Sequence, residues 1–552
     1  MKPEPEQLRR LVSELLVVRA SGHLADAQRR YPQWELPNAQ LERLLGQGVG
    51  GVILLGGSAA ELALRSRQLQ HWASKPLLLC ADVEEGVGQR FAGASWLVPP
   101  MALGRLHQHE PERALALAEA YGHCTGREAR SLGLNWVLGP VCDVNNNPLN
   151  PVINVRAWGE DAASAGALAA AFVHGVQAEG VLACAKHFPG HGDTASDSHL
   201  DLPVLEHNRE RLEAIELPPF RAAIAAGVAA VMTAHLLLPA LDLERPATLS
   251  KAVLTGLLRQ QLGFGGLIVT DALVMEAIAG RYGAGEAAVL ALEAGADLVL
   301  MPADADAAIA AIEAAVASDR LDLGSLEASV ARRRQALDLH ALSQGAEALE
   351  PLISSLALLP AAADRRLAEE LVQCSLETAG AARLQPASAA GGVNLVRLDR
   401  PLDCPFLTPQ APALALPAAA GYLNQLIDPA SSWIWGSDPQ APLQLERLAA
   451  GPVLLQLFVR GNPFAGHAGE REPWAAAVSQ LLAAGRLSGL AVYGSPYLWQ
   501  ELLPLLPPDL AAAYSPGQMP LAQSELLQAL GLAMPTSSDA DSEQGQSHAF
   551  TD

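Results

Sequence analysis

Aromatic residues are scarce in this chain, at 5% of its 552 residues, and no run of about 18 apolar residues, the length a membrane-spanning helix needs, occurs in it. Positive charge is also in deficit. Lys and Arg number 37 against 59 Asp and Glu, a formal charge of −22. Nucleic-acid phosphates require a basic face, and anionic membranes attract basic segments, so this balance argues against both partners. Cysteine follows no pattern: Cys80, Cys124, Cys142, Cys184, Cys374 and Cys404 have neither the spacing of a metal site nor the density of a disulfide scaffold. Four of them sit in or beside apolar runs and are expected to be buried, inert thiols. The N-terminus, Met1-Lys2-Pro3-Glu4-Pro5-Glu6, continues as a charged amphipathic helix without an apolar core of signal-peptide length. A cytoplasmic protein is the expectation, with no cofactor implied.

Half the residues are hydrophobic, and the length exceeds one ordinary core, so two domains are expected. From about residue 50 to 302, short apolar runs alternate with helical patterns: Gly51–Leu55, Pro76–Cys80, Leu134–Leu138, Val181–Ala185, Ala229–Met232, Leu267–Thr270 and Asp297–Met301. Continuous apolar strands separated by helices imply a parallel sheet covered on both faces. Seven such runs, with room for one more, fit an α/β fold of the TIM (β/α)8 type. Ala- and Arg-rich helices close this domain near residue 345. A second, smaller α/β pattern occupies 346–534, with strands near Val393–Leu398, Val453–Val459, Leu490–Tyr493 and Ala511–Tyr514. Residues 535–552 have little to bury and are expected to be disordered.

Polar residues follow most of the first-domain runs at once: Asp82, Asp143, Lys186-His187, His235 and Asp271. In a barrel these positions share the carboxyl rim and converge on one pocket. The richest segment is Lys186-His187-Phe188-Pro189-Gly190-His191-Gly192-Asp193-Thr194, continuing to Asp197-Ser198-His199. Asp197 and His199 are spaced to pair as a proton-transferring dyad, and Gly190 to Gly192 read as a flexible connection to them. Asp271 is placed to act as a nucleophile, a metal ligand or a helix cap. Asp82 to Arg90 offers acceptors and a guanidinium suited to a polyhydroxylated ligand, or forms a solvated acidic loop. Arg156 adds a second guanidinium beside Trp158. Zinc ligation by His187, His191, His199, Asp193 and Asp197 is disfavoured, because the histidines lie on a Gly/Pro loop, not on one helix face.

These segments, with Val155-Arg156-Ala157-Trp158-Gly159-Glu160-Asp161, Val231-Met232-Thr233-Ala234-His235, Pro246-Ala247-Thr248-Leu249-Ser250 and Gly295-Ala296-Asp297, resemble glycoside hydrolase family 3. The likeness spans roughly residues 45 to 340 and is greatest to the bacterial β-N-acetylglucosaminidases that trim peptidoglycan fragments. It implies a retaining glycosidase in which Asp271 is the nucleophile and the Asp197/His199 dyad supplies acid/base catalysis. Asp82, Arg90, Arg156, Lys186 and His187 would hold the sugar in the −1 subsite, and the second domain would be the family's α/β sandwich. The chain departs from the pattern at Val87, where relatives carry arginine, and in having a second domain, which many of this branch lack. The expected activity is release of terminal non-reducing β-linked N-acetylglucosamine, from muropeptides in peptidoglycan recycling. The alternatives are a β-N-acetylglucosaminide phosphorylase, a β-glucosidase of the same fold, or a non-catalytic sugar-binding protein. The expected partner is a small carbohydrate; the sequence does not set the oligomeric state.

Overall fold

The structure is a computed structural model and describes residues 3–194, 202–339, 356, 359–384, 387, 391–399, 404–460 and 472–532. The boundary expected at residues 345/346 and the tail 535–552 lie outside the described residues. The chain forms two compact units, the first running to Leu371 and the second starting at Val372.

In the first unit the strands are β1 (Leu16–Ser21), β2 (Gly51–Leu55), β3 (Leu78–Ala81), β4 (Trp136–Val137), β5 (Leu182–Phe188), β6 (Ala230–Thr233), β7 (Leu267–Val269) and β8 (Val299–Leu300). They form one eight-stranded sheet in the order β7-β6-β5-β4-β3-β2-β1-β8. Every pairing is parallel, as the alternation with helices requires. A parallel bridge between Val269 and Leu298 joins the ends and closes the barrel. The seven expected strands are present. The eighth is β1, which the sequence reading had continued as helix. The N-terminal helix ends at Ser13, and β1 starts three residues later with no Gly or Pro to mark the change.

Side chains alternate across a strand, so every second residue faces the barrel interior. Val17, Cys80, Cys184 and Val269 belong to that interior cluster, together with Trp136, Met232 and Leu300. One step further toward the carboxyl end, the same parity brings Arg19, Asp82, Lys186 and Asp271 into a polar layer above the apolar plug. Helices between the strands begin on side-chain caps. Ser58 and Glu61 form a reciprocal capping box for Ala59–Trp72, and Asp161 caps Ala162–Ala178.

The second unit holds β9 (Glu377–Ala379), β10 (Gly392–Arg397), β11 (Tyr422–Ile427), β12 (Val453–Val459), β13 (Leu487–Gly494) and β14 (Ala511–Ser515), in the order β11-β10-β12-β13-β14-β9. All pairs are parallel except β14 with β9. Leu454, Phe458, Ala491 and Ala513 pack on one face, while Leu455, Leu457, Val492 and Ala512 pack on the other. A sheet covered on both sides is the α/β sandwich the resemblance implied. The sequence reading omitted β9 and β11. Both are edge strands, and neither carries a continuous buried run: all of β9 and the middle of β11 are at least partly exposed.

Candidate active site

The carboxyl rim of the barrel is built around a buried chain of alternating charge. Lys186 Nζ lies 2.7 Å from Asp82 Oδ1 and 2.7 Å from Glu84 Oε1. Glu84 in turn receives two parallel hydrogen bonds of 2.8 Å from Nε and Nη2 of Arg156. The Lys186 and Glu84 side chains are 2% and 4% exposed, whereas Asp82 is 36% exposed and forms the open end. Burial alone would raise the Glu84 carboxyl pKa, but Arg156 and Lys186 outweigh it and hold it well below the usual carboxylate range. Burial likewise pulls Lys186 down, and Asp82 and Glu84 reverse the sign, so the ammonium stays charged. Arg90 joins the same corner by donating from Nε to the Asp82 carbonyl at 3.0 Å. Four of the five expected sugar-holding residues therefore meet in this corner, with Glu84, to which sequence reasoning gave no role, linking two of them. The signal was the spacing Asp82-Val83-Glu84, which puts both carboxylates on one side of an extended segment.

His187 belongs to a second buried pair. Its Nδ1 is 2.7 Å from Oδ2 of Asp143, whose side chain has no exposure. Asp143 also accepts the backbone N–H groups of His187 at 3.1 Å and His191 at 2.7 Å. Burial would raise the Asp143 carboxyl, and these donors together lower it. With Nδ1 committed to Asp143, Nε2 is the nitrogen left to meet a ligand. Burial pushes the His191 imidazole down to about 4, so it is neutral near pH 7.

The segment after β5 is fixed as far as Thr194. Asn150 Nδ2 donates to the carbonyls of His191 and Gly192 at 2.9 and 2.8 Å. A Cβ on Gly192 would meet the Val144 carbonyl oxygen at 1.7 Å. Gly192 therefore serves close packing, in place of the flexible connection expected from sequence. Asp197 and His199 lie outside the described residues.

Asp271 follows β7. Its Oδ1 accepts the N–H of Ala272 at 2.7 Å, and its own N–H donates to Thr233 Oγ1 at 3.3 Å. Thr233 Oγ1 is 2.7 Å from Thr248 Oγ1, which is 2.9 Å from Nδ1 of His235. Nε2 of His235 faces the Ala272 carbonyl at 3.0 Å. A carbonyl only accepts, so Nε2 carries a proton, and the imidazole is locked against the peptide that follows Asp271. This network was not read from the sequence, although His235 was placed on the rim. Asp271 is close enough to Cys184 and His191 to influence their ionisation, which places it on the same rim as the residues that end β5.

The Cys80, Cys124, Cys142 and Cys184 thiols are all buried, and burial pushes each of them up, away from reactivity. Among the described residues, the group with metal-compatible spacing is Cys124, Glu128 and Asp364. It is carried by helices Pro111–Ser131 and Ala362–Ser375, not by the strand ends. No described helix is long and apolar enough to cross a membrane.

Known proteins share this arrangement. Residues 8–335 match the glycosyl hydrolase family 3 N-terminal domain, and residues 385–531 match the bacterial glycosyl hydrolase family 3 C-terminal domain. The chain is 34% identical over 344 residues to a β-hexosaminidase A of Pseudoalteromonas piscicida, covering 58% of this chain and 54% of that protein. It is 37% identical over 271 residues to a β-N-acetylglucosaminidase/β-glucosidase of Cellulomonas fimi, covering 47% of each. The matched part thus spans about half the length of these two curated relatives. A family 3 β-N-acetylglucosaminidase structure from a Paenibacillus species superposes with a TM-score of 0.76 at 30% identity, covering 96% of this chain and 97% of that one. The family match runs through the barrel and the sandwich alike, and this chain belongs to glycosyl hydrolase family 3.

Proposed function

We propose that the chain is a retaining exo-β-N-acetylglucosaminidase that removes terminal, non-reducing β-linked N-acetylglucosamine, with muropeptides in cytoplasmic peptidoglycan recycling as its source of substrate. The observation that carries this reading is the polar layer at the barrel mouth, where Asp271, just after β7, shares the carboxyl rim with the Asp82–Lys186–Glu84–Arg156 chain. The named activities of the relatives, β-hexosaminidase and β-N-acetylglucosaminidase, agree with it.

In this reading the Asp271 carboxylate attacks the anomeric carbon, and the bond to the leaving oxygen breaks as His199 protonates it. The glycosyl group is then held as an ester on Asp271. His199, now neutral, takes a proton from water as the water attacks the same carbon and releases Asp271. Asp197 orients His199 and stabilises its cationic form. Asp82 accepts from sugar hydroxyls, with Lys186 behind it. Arg90, Arg156 and His187 Nε2 complete the −1 subsite. Glu84 holds Lys186 and Arg156 in place while leaving each of them N–H groups to donate.

The test is hydrolysis of aryl β-N-acetylglucosaminide and aryl β-glucoside, each with and without inorganic phosphate. Sugar release from the first substrate, with loss of turnover in Asp271→Ala, is the expected result. Preference for the glucoside, or a sugar 1-phosphate as product, overturns it.

A further inference from the structure

Two segments that stand out in the sequence, Val231-Met232-Thr233-Ala234-His235 and Pro246-Ala247-Thr248-Leu249-Ser250, supply no group to the proposed chemistry. In the fold their polar side chains join at the backbone of Asp271. Thr233 ends β6, His235 stands just beyond it, and Thr248 lies in the helical turn Ala247–Leu249. Thr233, Ala234, His235 and Thr248 are all fully buried, so the protons on these side chains must be used among themselves and their neighbours.

Thr248 Oγ1 meets Thr233 Oγ1 at 2.7 Å, His235 Nδ1 at 2.9 Å and the Ala234 carbonyl oxygen at 2.9 Å. A hydroxyl has a single proton to give, and its lone pairs accept the rest. The buried Ala234 carbonyl can only accept, so it takes the Thr248 proton. The Thr233 hydroxyl and His235 Nδ1 must then both donate to Thr248. Nε2 of His235 donates as well, to the Ala272 carbonyl at 3.0 Å. Both ring nitrogens therefore carry protons, and the imidazole is a cation. Thr233 uses its remaining acceptor capacity for the Asp271 N–H at 3.3 Å. A buried cation needs a counter-charge, and Asp271, whose Oδ1 accepts the Ala272 N–H at 2.7 Å, precedes the very residue that His235 grips.

We infer that His235, held as an imidazolium between Thr248 and the Ala272 carbonyl, is the positioning residue of the nucleophile. Its charge favours the ionised form of the Asp271 carboxylate, the form that attacks. Its grip on Ala272, with that of Thr233 on the Asp271 N–H, fixes the backbone on both sides of the carboxylate and so its direction of approach. The role given to Asp271 rests on the glycosidase reading, whereas the charge on His235 follows from the hydrogen bonds.

The charge is read by NMR on the full chain labelled with nitrogen-15 histidine, near pH 7, with the His235 signals identified by their loss in His235→Gln. The expected pattern is two ring nitrogens of similar shift, each bearing a proton. One nitrogen shifted far downfield, as an unprotonated acceptor is, overturns the inference. The positioning is read from kinetics on whichever aryl glycoside the parent hydrolyses faster. Thr248→Val, which removes the hydroxyl at similar shape, is expected to lower kcat about tenfold at unchanged KM, and Thr248→Ser to restore most of it. A loss carried by KM, or a serine variant no better than the valine one, also overturns the inference. Thermal unfolding of each variant reports that the fold is intact. Absence of hydrolysis with every aryl glycoside strikes the activity alone, because the NMR spectrum decides the His235 charge without substrate and without the valine variant.

Discussion

Glu84 has the most demanding position of any residue in the site. It is 4% exposed and neutralises two buried cations, Arg156 and Lys186. Removing one member of a buried ion network leaves uncompensated charge, which costs about 3–5 kcal/mol. Glu84→Ala is therefore expected to lose about that much stability by urea unfolding, and Asp82→Ala clearly less, since Asp82 opens to solvent and Lys186 keeps Glu84. A larger loss for Asp82→Ala would show that Glu84 does not link the site. The sign with pH follows from the lowered Glu84 pKa: its contribution is present above the ordinary carboxylate range and fades as pH falls through the depressed folded value. At this scale the sequence displayed Asp82, Lys186, His187 and Asp271, because each follows or ends an apolar run. It did not display that Glu84 serves Lys186 and Arg156, or that Asp143 serves His187. Those partners are far apart along the chain, at separations of 72 for Arg156 and 44 for His187.

Among the elements, helix Pro111–Ser131 has a direct line to the rim. Its Glu128 accepts the N–H and Oγ–H of Ser95 at 2.9 and 2.8 Å, in the loop that leads away from Asp82 and Arg90. Burial raises the Glu128 carboxyl from 4.5 to about 7, against the two Ser95 hydrogen bonds. A raised folded pKa means that the folded state holds the proton more tightly than the unfolded one. The associated stability is complete below 4.5 and is lost as pH rises through about 7. Glu128→Gln keeps a neutral group of the same shape. Its stability relative to the parent should therefore rise between pH 5 and pH 8 in parallel urea titrations. A difference that stays constant across that range would show that Glu128 does not carry the proton. Elements were legible in proportion to their burial. The runs of β2 to β8 stood out, whereas β1 was hidden behind the helix that leads into it. The edge strands β9 and β11 gave no buried run to detect. Gly192 shows the same limit, since its composition suggested freedom and only the contact with Val144 reveals a packing constraint.

Across the whole molecule, the two units have separate cores, and every described candidate site residue lies in the first. Leu455 is fully buried in the second core, where Leu→Ala substitutions cost about 2–5 kcal/mol. Leu455→Ala is expected to lower one calorimetric transition while the other keeps its midpoint. A shift of all unfolding together would show that the units melt as one. The sequence by itself determined the architecture, because apolar runs separated by helices have few ways to bury both faces of a parallel sheet. It also determined which residue types crowd the rim, since strand ends are fixed by where those runs stop. Only the tertiary structure decided which charges neutralise each other. Hydrogen-bond partners depend on distances of a few ångströms between segments far apart in the chain, and local sequence does not encode those distances.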